Sequence, residues 1–383
     1  MTAATCPVCA GARLEPVIEL PGQPVVCNAL YDDADAARAA PVADVALAVC
    51  ADCGLVFNAA FDAARIRYET RYENALHHSP SFRAYAERLA DDLVARYNLA
   101  GRNVTEIGCG DGYFLRLLLD RGVVHATGYD PSMAGRHDES DARLTIVPDL
   151  FAAETALAPF DALVCRHVLE HLPDPQAFAG TLRQASRDAV LYIEVPNGAW
   201  LLDTVSVWDV IYEHVTYWTE PAMRTLLRRA GFRPIRIEPA FGGQFLSVEA
   251  VPDEADEAYL PAGAAPVREA AQRFAAAARA SIDDWSGRLA GQGVAAIWGA
   301  GSKGITFANA IKADAIAAMV DLNPRKHGLC APVSAIPVVA PDALAGFAPS
   351  LVLIANGLYQ GEIVRTMREM GVDADVAVIA GPG

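Results

Sequence analysis

Apolar residues recur at two different spacings along the chain, and each spacing predicts one kind of element. Behind Ser79 and Pro80 they come at intervals of three and four, which is typical of an amphipathic helix that opens at these two residues (Phe82, Tyr85, Leu89, Leu93, Tyr97). Short β-branched runs predict strands instead, beginning with Val45–Val49 near the N-terminus. The two patterns together predict a mixed α/β protein.

From residue 103 onwards, strands and helices alternate. Strand patterns occupy 103–107, 125–130, 144–147 and 189–194. A further strand starts at 160, and we expect it to run into a helix that carries His167 and His171. Such alternation is typical of a parallel, doubly wound sheet, in which ligands bind at the carboxyl ends of the strands.

A second alternating unit follows the first. A late strand after Phe241 closes the first unit. The segment 252–265 is acidic and then rich in Pro and Ala, which is typical of a connector. The Ala-rich segment 264–289 predicts a linking helix. A new strand begins at Val294. The pattern therefore divides the chain into an N-terminal module (1–66), a first α/β core (67–252), a linking helix (253–290) and a second α/β domain (291–383).

The composition is that of an ordinary globular protein and limits the partners. Of 383 residues, 53% are hydrophobic and 20% charged, and the net charge is −16 with a pI near 4.9. So acidic a surface repels phosphate backbones, which argues against nucleic acid as a partner and requires any phosphorylated ligand to be held locally. Because no apolar run could span a bilayer and no signal-peptide pattern is visible, we expect a cytoplasmic protein without a membrane partner. We expect it to be a monomer or a dimer.

Four cysteines form two CxxC pairs, Cys6/Cys9 and Cys50/Cys53. In a reducing compartment such pairs are metal ligands more often than disulfides, and two CxxC turns complete a tetrahedral zinc site. Four thiolates leave no open position for water, so we interpret the predicted site as structural rather than catalytic. The alternative is that these cysteines only line a small core.

A glycine-rich turn follows the first core strand. Gly108 and Gly110 allow the backbone to approach a ligand, and the next helix directs its free N–H groups at the same point. Glu106 precedes the first glycine, where a carboxylate would repel a pyrophosphate but attract a sulfonium-bearing amino acid. Residues at two further strand ends complete the predicted cofactor site. Asp130 is placed to bind the ribose, and Asp149 and Leu150 lie where adenine contacts are expected.

Three segments together resemble the class I S-adenosylmethionine-dependent methyltransferases: Glu-Ile-Gly-Cys-Gly-Asp-Gly at 106–112, Tyr-Asp-Pro-Ser at 129–132 and His-Val-Leu-Glu-His-Leu at 167–172. The resemblance implies S-adenosylmethionine as cofactor, bound at a class I doubly wound sheet. A generic dinucleotide domain would explain neither Glu106 nor the third segment. His167 and His171 resemble a metal pair, but without a visible third ligand we interpret them as helix caps and active-site walls, with His167 beside the cofactor.

The organisation of the whole chain is similar to a narrower family. A zinc module, a methyltransferase core and a second Rossmann-like domain together resemble the sugar C-methyltransferases of deoxysugar biosynthesis. In that family a tyrosine and a histidine act around a 4-keto nucleotide sugar, and His214 matches the histidine. Ile211 stands where the family often has the tyrosine, with Tyr212 one residue nearer. Another family tyrosine falls on Asn74, and its neighbour Tyr72 is our candidate for the acceptor site.

The residues around His214 are suited to methyl transfer to carbon. This reaction needs a base that removes a proton from the carbon, and imidazole is the usual base near neutral pH. Glu213 could orient the ring, and Tyr212 or Tyr217 could stabilise an enolate. The alternatives are O- or N-methylation of another natural-product intermediate, a non-catalytic cofactor-binding scaffold, and simple packing of His214 and Tyr217.

The second α/β unit has a glycine turn of its own. Gly299, Gly301 and Gly304 follow a strand and precede a helix, the context in which this spacing binds phosphate groups. The predicted acceptor-binding residues are Gly299, Gly301, Lys303, Asp321 and Asn323. The resemblance implies that this domain holds the nucleotide part of the acceptor. The alternatives are a structural domain and a NAD-binding redox domain, for which no catalytic constellation is visible.

Overall fold

The computed structural model describes residues 3–66, 76–135, 141–153, 159–312 and 314–379. Within these ranges no helix combines the length and the apolar character needed to cross a bilayer. Three sheets organise the described chain, one in the N-terminal module and one in each α/β unit.

The N-terminal module is an antiparallel sheet with its cysteine turns at one end. Its own elements are β1 (Leu14–Pro24), α1 (Ala34–Arg38), β2 (Val42–Cys50) and β3 (Val56–Asn58). The predicted strand at 45–49 lies inside β2. Because β2 ends at Cys50, the second CxxC turn is also the connection from β2 to β3.

The central unit contains the next thirteen elements: α2 (Pro80–Tyr97), β4 (Asn103–Ile107), α3 (Tyr113–Leu119), β5 (His125–Tyr129), β6 (Leu144–Val147), β7 (Ala162–Arg166), α4 (Pro175–Ala185), β8 (Val190–Pro196), α5 (Gly198–Asp203), β9 (Thr216–Tyr217), α6 (Glu220–Ala230), β10 (Phe232–Ala240) and β11 (Phe245–Pro252). As predicted, α2 begins behind Ser79, whose hydroxyl caps it by accepting the Phe82 N–H at 3.4 Å.

The sheet of the central unit runs in the order β10-β11-β8-β7-β4-β5-β6. The five strands from β4 to β8 are parallel, and β11 and β10 close one edge as an antiparallel hairpin. This confirms the predicted doubly wound α/β sheet. The strand order reverses at β4, which lies between β5 and β7, so the crevice for a ligand opens at the carboxyl ends of β4 and β7.

The segment after β7 corrects one sequence expectation. His167 has a left-handed φ of +55°, and 169–171 forms a single 3₁₀ turn rather than the start of a helix. The next helix, α4, begins only at Pro175. Two prolines explain the delay, because Pro173 and Pro175 each disfavour the helical conformation of the residue before them. His167 and His171 therefore do not lie on one helical face.

The C-terminal domain is a five-stranded parallel sheet behind a long helix. Its elements are α7 (Ala264–Leu289), β12 (Ala295–Trp298), α8 (Ser302–Ile311), β13 (Ile316–Val320), β14 (Val338–Val339), β15 (Leu351–Ile354), α9 (Gln360–Glu369) and β16 (Asp375–Val378). The strands run in the order β14-β13-β12-β15-β16. The linking helix α7 covers the predicted range 264–289, and the order reverses at β12, directly before the second glycine turn.

The three modules share one buried core. Val45 of β2, Trp208 of the central unit, Phe274 of α7 and Phe307 of α8 belong to the same apolar cluster. The rings of Trp208 and Phe307 meet edge to face at 4.9 Å between centroids. Removing this much apolar surface from water fixes the N-terminal sheet and the C-terminal domain against the central unit.

Candidate active site

The four predicted zinc ligands lie together. Cys6, Cys9, Cys50 and Cys53 are buried, and their sulfur atoms lie within 4.8 Å of one another. The Sγ–Sγ distance is 3.6 Å from Cys6 to Cys53 and 3.5 Å from Cys9 to Cys50. A tetrahedron with Zn–S bonds of about 2.3 Å has edges of about 3.8 Å, so the four thiols fit a structural zinc ion.

The zinc module is attached to the central unit beside His214. Strand β9 pairs with β3 and places Tyr217 opposite Val56, so a strand that begins two residues after His214 belongs to the N-terminal sheet. The Cys27 N–H also donates to the Glu213 carboxylate at 3.2 Å. The position of His214 therefore depends on the N-terminal module.

The first glycine turn is open towards a ligand. Gly108, Gly110 and Gly112 have φ angles of +72°, +52° and +78°, which favour glycine. The Gly110 N–H donates to the Asp130 carboxylate at 2.8 Å, so the acid that ends β5 also holds the turn. A Cβ on Gly110 would meet no atom within 4 Å, and this open space at the end of β4 fits a bound cofactor.

Glu106 has an unpaired oxygen beside this turn. The residue is 2% exposed, and no described residue donates a hydrogen bond to its Oε2. Burial raises the pKa of Glu106 to about 8. A cationic amino acid such as the methionyl part of S-adenosylmethionine would supply the missing partner, so the carboxyl group fits this cofactor.

The other predicted cofactor residues lie along the same sheet edge. Asp149 accepts the Leu150 N–H at 2.7 Å, and Leu150 is 72% exposed, which leaves its side chain accessible to an adenine ring. His167 forms ion pairs with Glu194 at 3.2 Å and Glu170 at 3.6 Å. Burial opposes the charged form of His167, but the two carboxylates outweigh it and raise its pKa to about 9.

A cleft between the central unit and the C-terminal domain collects residues from all three modules. The N-terminal module contributes Asn28, the central unit His167, Glu170, His171, His214 and Tyr217, and the C-terminal domain Gly299, Gly301, Lys303 and Asp321. Gln244 and Asn356 exchange amide hydrogen bonds of 2.8 and 3.0 Å across the cleft. Since His167 follows β7 and Pro196 ends β8, the cleft adjoins the carboxyl ends of these two strands.

His214 lies against His171 and Glu170 in this cleft. The two imidazole rings meet edge to face at 4.9 Å between centroids. One nitrogen of each ring and one oxygen of Glu170 lie within 4.8 Å of one another. Burial lowers the pKa of His214 to about 3, so its ring is neutral at physiological pH and can accept a proton only where a carboxylate such as Glu170 stabilises the imidazolium.

The other residues predicted beside the base have different surroundings. Tyr212 is 1% exposed, and its hydroxyl accepts the Asp62 N–H at 2.9 Å outside the described lining of the cleft. Glu213 is likewise outside it, because its carboxylate faces Cys27. Tyr217 does line the cleft, but its hydroxyl bonds the N–H and the carbonyl of Ile211, each at 3.0 Å.

Lys303 lies in the cleft with a partner already in place. Its ammonium pairs with both carboxylate oxygens of Asp209 and lies 4.9 Å from the centroid of the Trp200 ring. Trp200 and Asp209 also line the cleft. A phosphate that approaches Lys303 therefore competes with a carboxylate.

Asp321 holds the second glycine turn as Asp130 holds the first. It accepts the N–H groups of Ala300 at 3.0 Å and Asn323 at 2.9 Å, and the Lys326 ammonium at 3.3 Å. Asn323 is 1% exposed, caps the turn that follows by accepting the Arg325 N–H, and does not belong to the described lining. Tyr72 lies outside the described residues.

Sequence reasoning missed Asn28, Glu170 and Trp200 as cleft residues. Asn28 is 4% exposed, and its Oδ1 has no hydrogen-bond partner among the described residues. No motif surrounds Asn28, so nothing in the sequence points to it. Glu170 lies between His167 and His171 in the sequence, in the segment that was expected to be a helix. Because that segment is a 3₁₀ turn, Glu170 lines the cleft instead.

Three families match consecutive parts of the chain. Residues 6–66 match a zinc binding domain, 82–237 a methyltransferase domain and 268–380 a C-methyltransferase C-terminal domain. The C-methyltransferase NovU of Streptomyces niveus is 25% identical over 95% of this chain and 92% of its own.

Other relatives match a smaller share of the chain. The ubiquinone biosynthesis O-methyltransferase of Xylella fastidiosa is 32% identical over 126 residues. The match covers 30% of this chain and only 47% of that relative. A Burkholderia thailandensis 1,6-didemethyltoxoflavin-N1-methyltransferase, solved with S-adenosylhomocysteine, has a TM-score of 0.36 at 19% identity and covers 53% of this chain and 97% of its own.

The sheet, the open glycine turn and the matched domains define a class I S-adenosylmethionine-dependent methyltransferase. Within that class, the chain has the domain order of a three-domain C-methyltransferase, with a match to a zinc binding domain before the core and a match to a C-methyltransferase C-terminal domain after it.

Proposed function

We propose that the protein methylates a carbon of a small keto compound, most concretely a nucleotide-linked keto sugar, with His214 as the general base. The observation that carries this proposal is the position of His214 beside the buried Glu170 carboxylate, in a cleft bounded by a second glycine turn. The likeness to a C-methyltransferase over nearly the whole chain supports carbon as the acceptor atom.

The roles of the residues follow from their contacts. S-adenosylmethionine supplies an electrophilic methyl group when it is bound between Glu106, the glycine turn and Asp130. His214 takes the proton from the acceptor carbon, and the adjacent carboxylate of Glu170 stabilises the imidazolium that forms. The Asn28 amide, buried in the cleft, is suited to donate to the oxygen that gains negative charge, while Tyr217 shapes the wall.

The C-terminal domain is proposed to hold the phosphorylated part of the acceptor. Gly301 directly precedes helix α8 and lines the cleft, and a Cβ there would meet no atom within 4 Å, so a phosphate has space beside this helix start. A diphosphate would take the Lys303 ammonium from Asp209, which supplies a cation to a chain whose net charge is −16.

Methylation of oxygen or nitrogen is the less favoured reaction. The likeness to the O-methyltransferase covers 30% of this chain, whereas the likeness to the C-methyltransferase covers 95% of it and so includes the zinc module and the C-terminal domain. Those two modules supply Asn28 and Lys303 to the cleft.

Hydrogen exchange in deuterated water tests the proposal. We expect a nucleotide-linked 4-keto sugar to exchange the proton of the carbon beside its carbonyl without methyl donor, and to gain a methyl group at that carbon once donor is added. His214→Gln should abolish exchange while thermal shifts show that the sugar still binds. Tyr212→Phe is the matched control and should keep exchange. A heteroatom-methylated product formed without carbon exchange would contradict the proposal.

A further inference from the structure

We propose that Glu170, His171 and His214 form a second metal site, which binds a divalent first-row transition ion and inhibits the enzyme when it is occupied. Two imidazoles and one carboxylate are a common ligand set for such ions. The inhibition rests on the proposed function, because an ion on His214 uses the lone pair that the base needs. The binding itself does not depend on the reaction.

The ligand atoms are close enough to share one ion. One nitrogen of His171, one nitrogen of His214 and one carboxylate oxygen of Glu170 lie within 4.8 Å of one another. Glu170 is 1% exposed, and no described residue donates a hydrogen bond to its Oε2. His167 forms an ion pair with the other oxygen, Oε1, at 3.6 Å, so Oε2 is the oxygen that a bound cation would supply with a partner.

The surroundings fix the ligands as they do at known metal sites. The His171 Nδ1–H donates to the Glu213 carbonyl at 3.1 Å, which leaves Nε2 as the nitrogen with the lone pair. The Val215 N–H donates to the Glu170 carbonyl at 2.7 Å, and the Thr216 hydroxyl to the Leu169 carbonyl at 3.4 Å. These bonds hold the turn at 169–171 against the segment that carries His214, so little rearrangement is needed on binding.

The site also leaves room for ligands from solution. All three residues line the cleft, so an ion with three protein ligands keeps a position for water or for an oxygen of the acceptor. This differs from the buried four-cysteine site, whose thiolates complete a tetrahedron. The difference in ligands, sulfur in one site and nitrogen with oxygen in the other, makes the two sites separable by spectroscopy.

Cobalt(II) titration of the full-length, zinc-loaded protein tests the site. We expect one added Co²⁺ per chain with weak visible d–d bands and without the intense near-ultraviolet sulfur-to-cobalt charge transfer that thiolates give. Glu170→Gln and His171→Gln should each weaken binding by at least the roughly 10–100-fold that loss of a second-shell partner costs. His125→Gln removes a histidine on β5 and should bind cobalt like the parent.

Each outcome decides the proposal. Cobalt bands that persist in Glu170→Gln, or bands that show sulfur ligation alone, would overturn it, provided that the variants melt like the parent and retain their zinc. In an activity assay, added Co²⁺ should inhibit the parent protein, and a chelator should restore its activity. The inhibition should be weaker in Glu170→Gln. If His214 is not the base, metal-free His214→Gln will be active, whether or not the parent protein binds cobalt. A failure of the proposed function is therefore distinguished from a failure of the metal site.

Discussion

Two buried carboxyl groups near the cofactor turn have opposite charge states because only one has a cationic partner. Glu194 accepts the Arg166 guanidinium at 2.8 Å, and although burial opposes ionisation this pair lowers the pKa of Glu194 to about 2. Glu106 is buried without such a bond, and its pKa rises to about 8. Glu106 is thus mostly protonated at pH 7 until a cation arrives.

Cofactor binding should therefore release a proton from Glu106. A cationic ligand favours the carboxylate, so affinity should rise as the pH approaches about 8 and level off above it. Calorimetry at pH 7 in buffers of different ionisation enthalpy measures the number of protons released, which we expect to approach one.

Glu106→Gln is the control for this linkage. It keeps the size of the side chain and should eliminate most of the proton release along with part of the affinity. Equal proton release in the parent and in Glu106→Gln would assign the linkage to another group.

At the scale of elements, the first glycine turn combines a left-handed backbone with a close contact. Gly108 has a φ of +72°, and a Cβ there would lie 2.2 Å from Cγ2 of Val168. Val168 belongs to the segment after β7, so a side chain at 108 would push apart two strand ends that border the cofactor crevice.

Gly108→Ala should weaken cofactor binding more than about tenfold, because the added Cβ forces Val168 or the turn to move where the cofactor is proposed to bind. It should also lower stability by the roughly 1–2 kcal/mol cost of a left-handed alanine. Calorimetry with S-adenosylhomocysteine measures the loss of affinity. Gly101→Ala is the matched control, since Gly101 has a φ of +80° with no atom within 4 Å of an added Cβ. It should lower stability without changing affinity, and a similar loss of affinity in both variants would contradict the explanation.

At the scale of the whole molecule, the acceptor cleft exists only because three modules meet. Serines at the start of α2 donate to Glu362 of α9, with Ser79 Oγ at 3.1 Å and Ser81 Oγ at 2.9 Å. Lys303 of α8 pairs with Asp209 of the central unit. These contacts set the distance between the walls of the cleft.

Lys303→Ala should raise the KM for a nucleotide-linked acceptor roughly tenfold or more, since a charged hydrogen bond contributes about 1.5–3 kcal/mol. Cofactor affinity should not change, because the predicted cofactor residues lie at the other sheet. Asp209→Asn removes the competing carboxylate and should leave KM equal or lower. If both variants raise KM equally, the pair only holds the domains together.

Removal of zinc should affect activity as well as stability. Cys50→Ser should leave less than one zinc per chain and lower the Tm by at least about 5 °C, since the metal contributes directly to folding. Activity should fall too, because the module supplies Asn28 and pairs with the strand after His214. Cys330→Ser lies outside the four-cysteine group and is the control. Full activity in zinc-free Cys50→Ser would contradict this coupling.

The sequence by itself determined the helices, strands and turns that have a local pattern. Helix α2 behind Ser79, helix α7 at 264–289 and the strand at 144–147 were all predictable, because spacing, caps and β-branched runs act locally. The four cysteines, the glycine turns and the doubly wound sheet follow from the same kind of signal. The assignments of cofactor, base and acceptor residues remain predictions, although the structure brings many of them to one sheet edge or one cleft.

Only the tertiary structure decided which side chains surround His214. Glu213 is next to it in the chain but faces Cys27, whereas Glu170, 44 positions earlier in the numbering, lies beside the ring. Tyr212 bonds the backbone at Asp62, and Asn28 reaches the cleft from the N-terminal module. The physical reason is that 211–214 forms a turn, in which the His214 N–H donates to the Ile211 carbonyl at 3.3 Å and consecutive side chains point in different directions. Long-range packing then selects the neighbours of each side chain, and no local pattern encodes that packing.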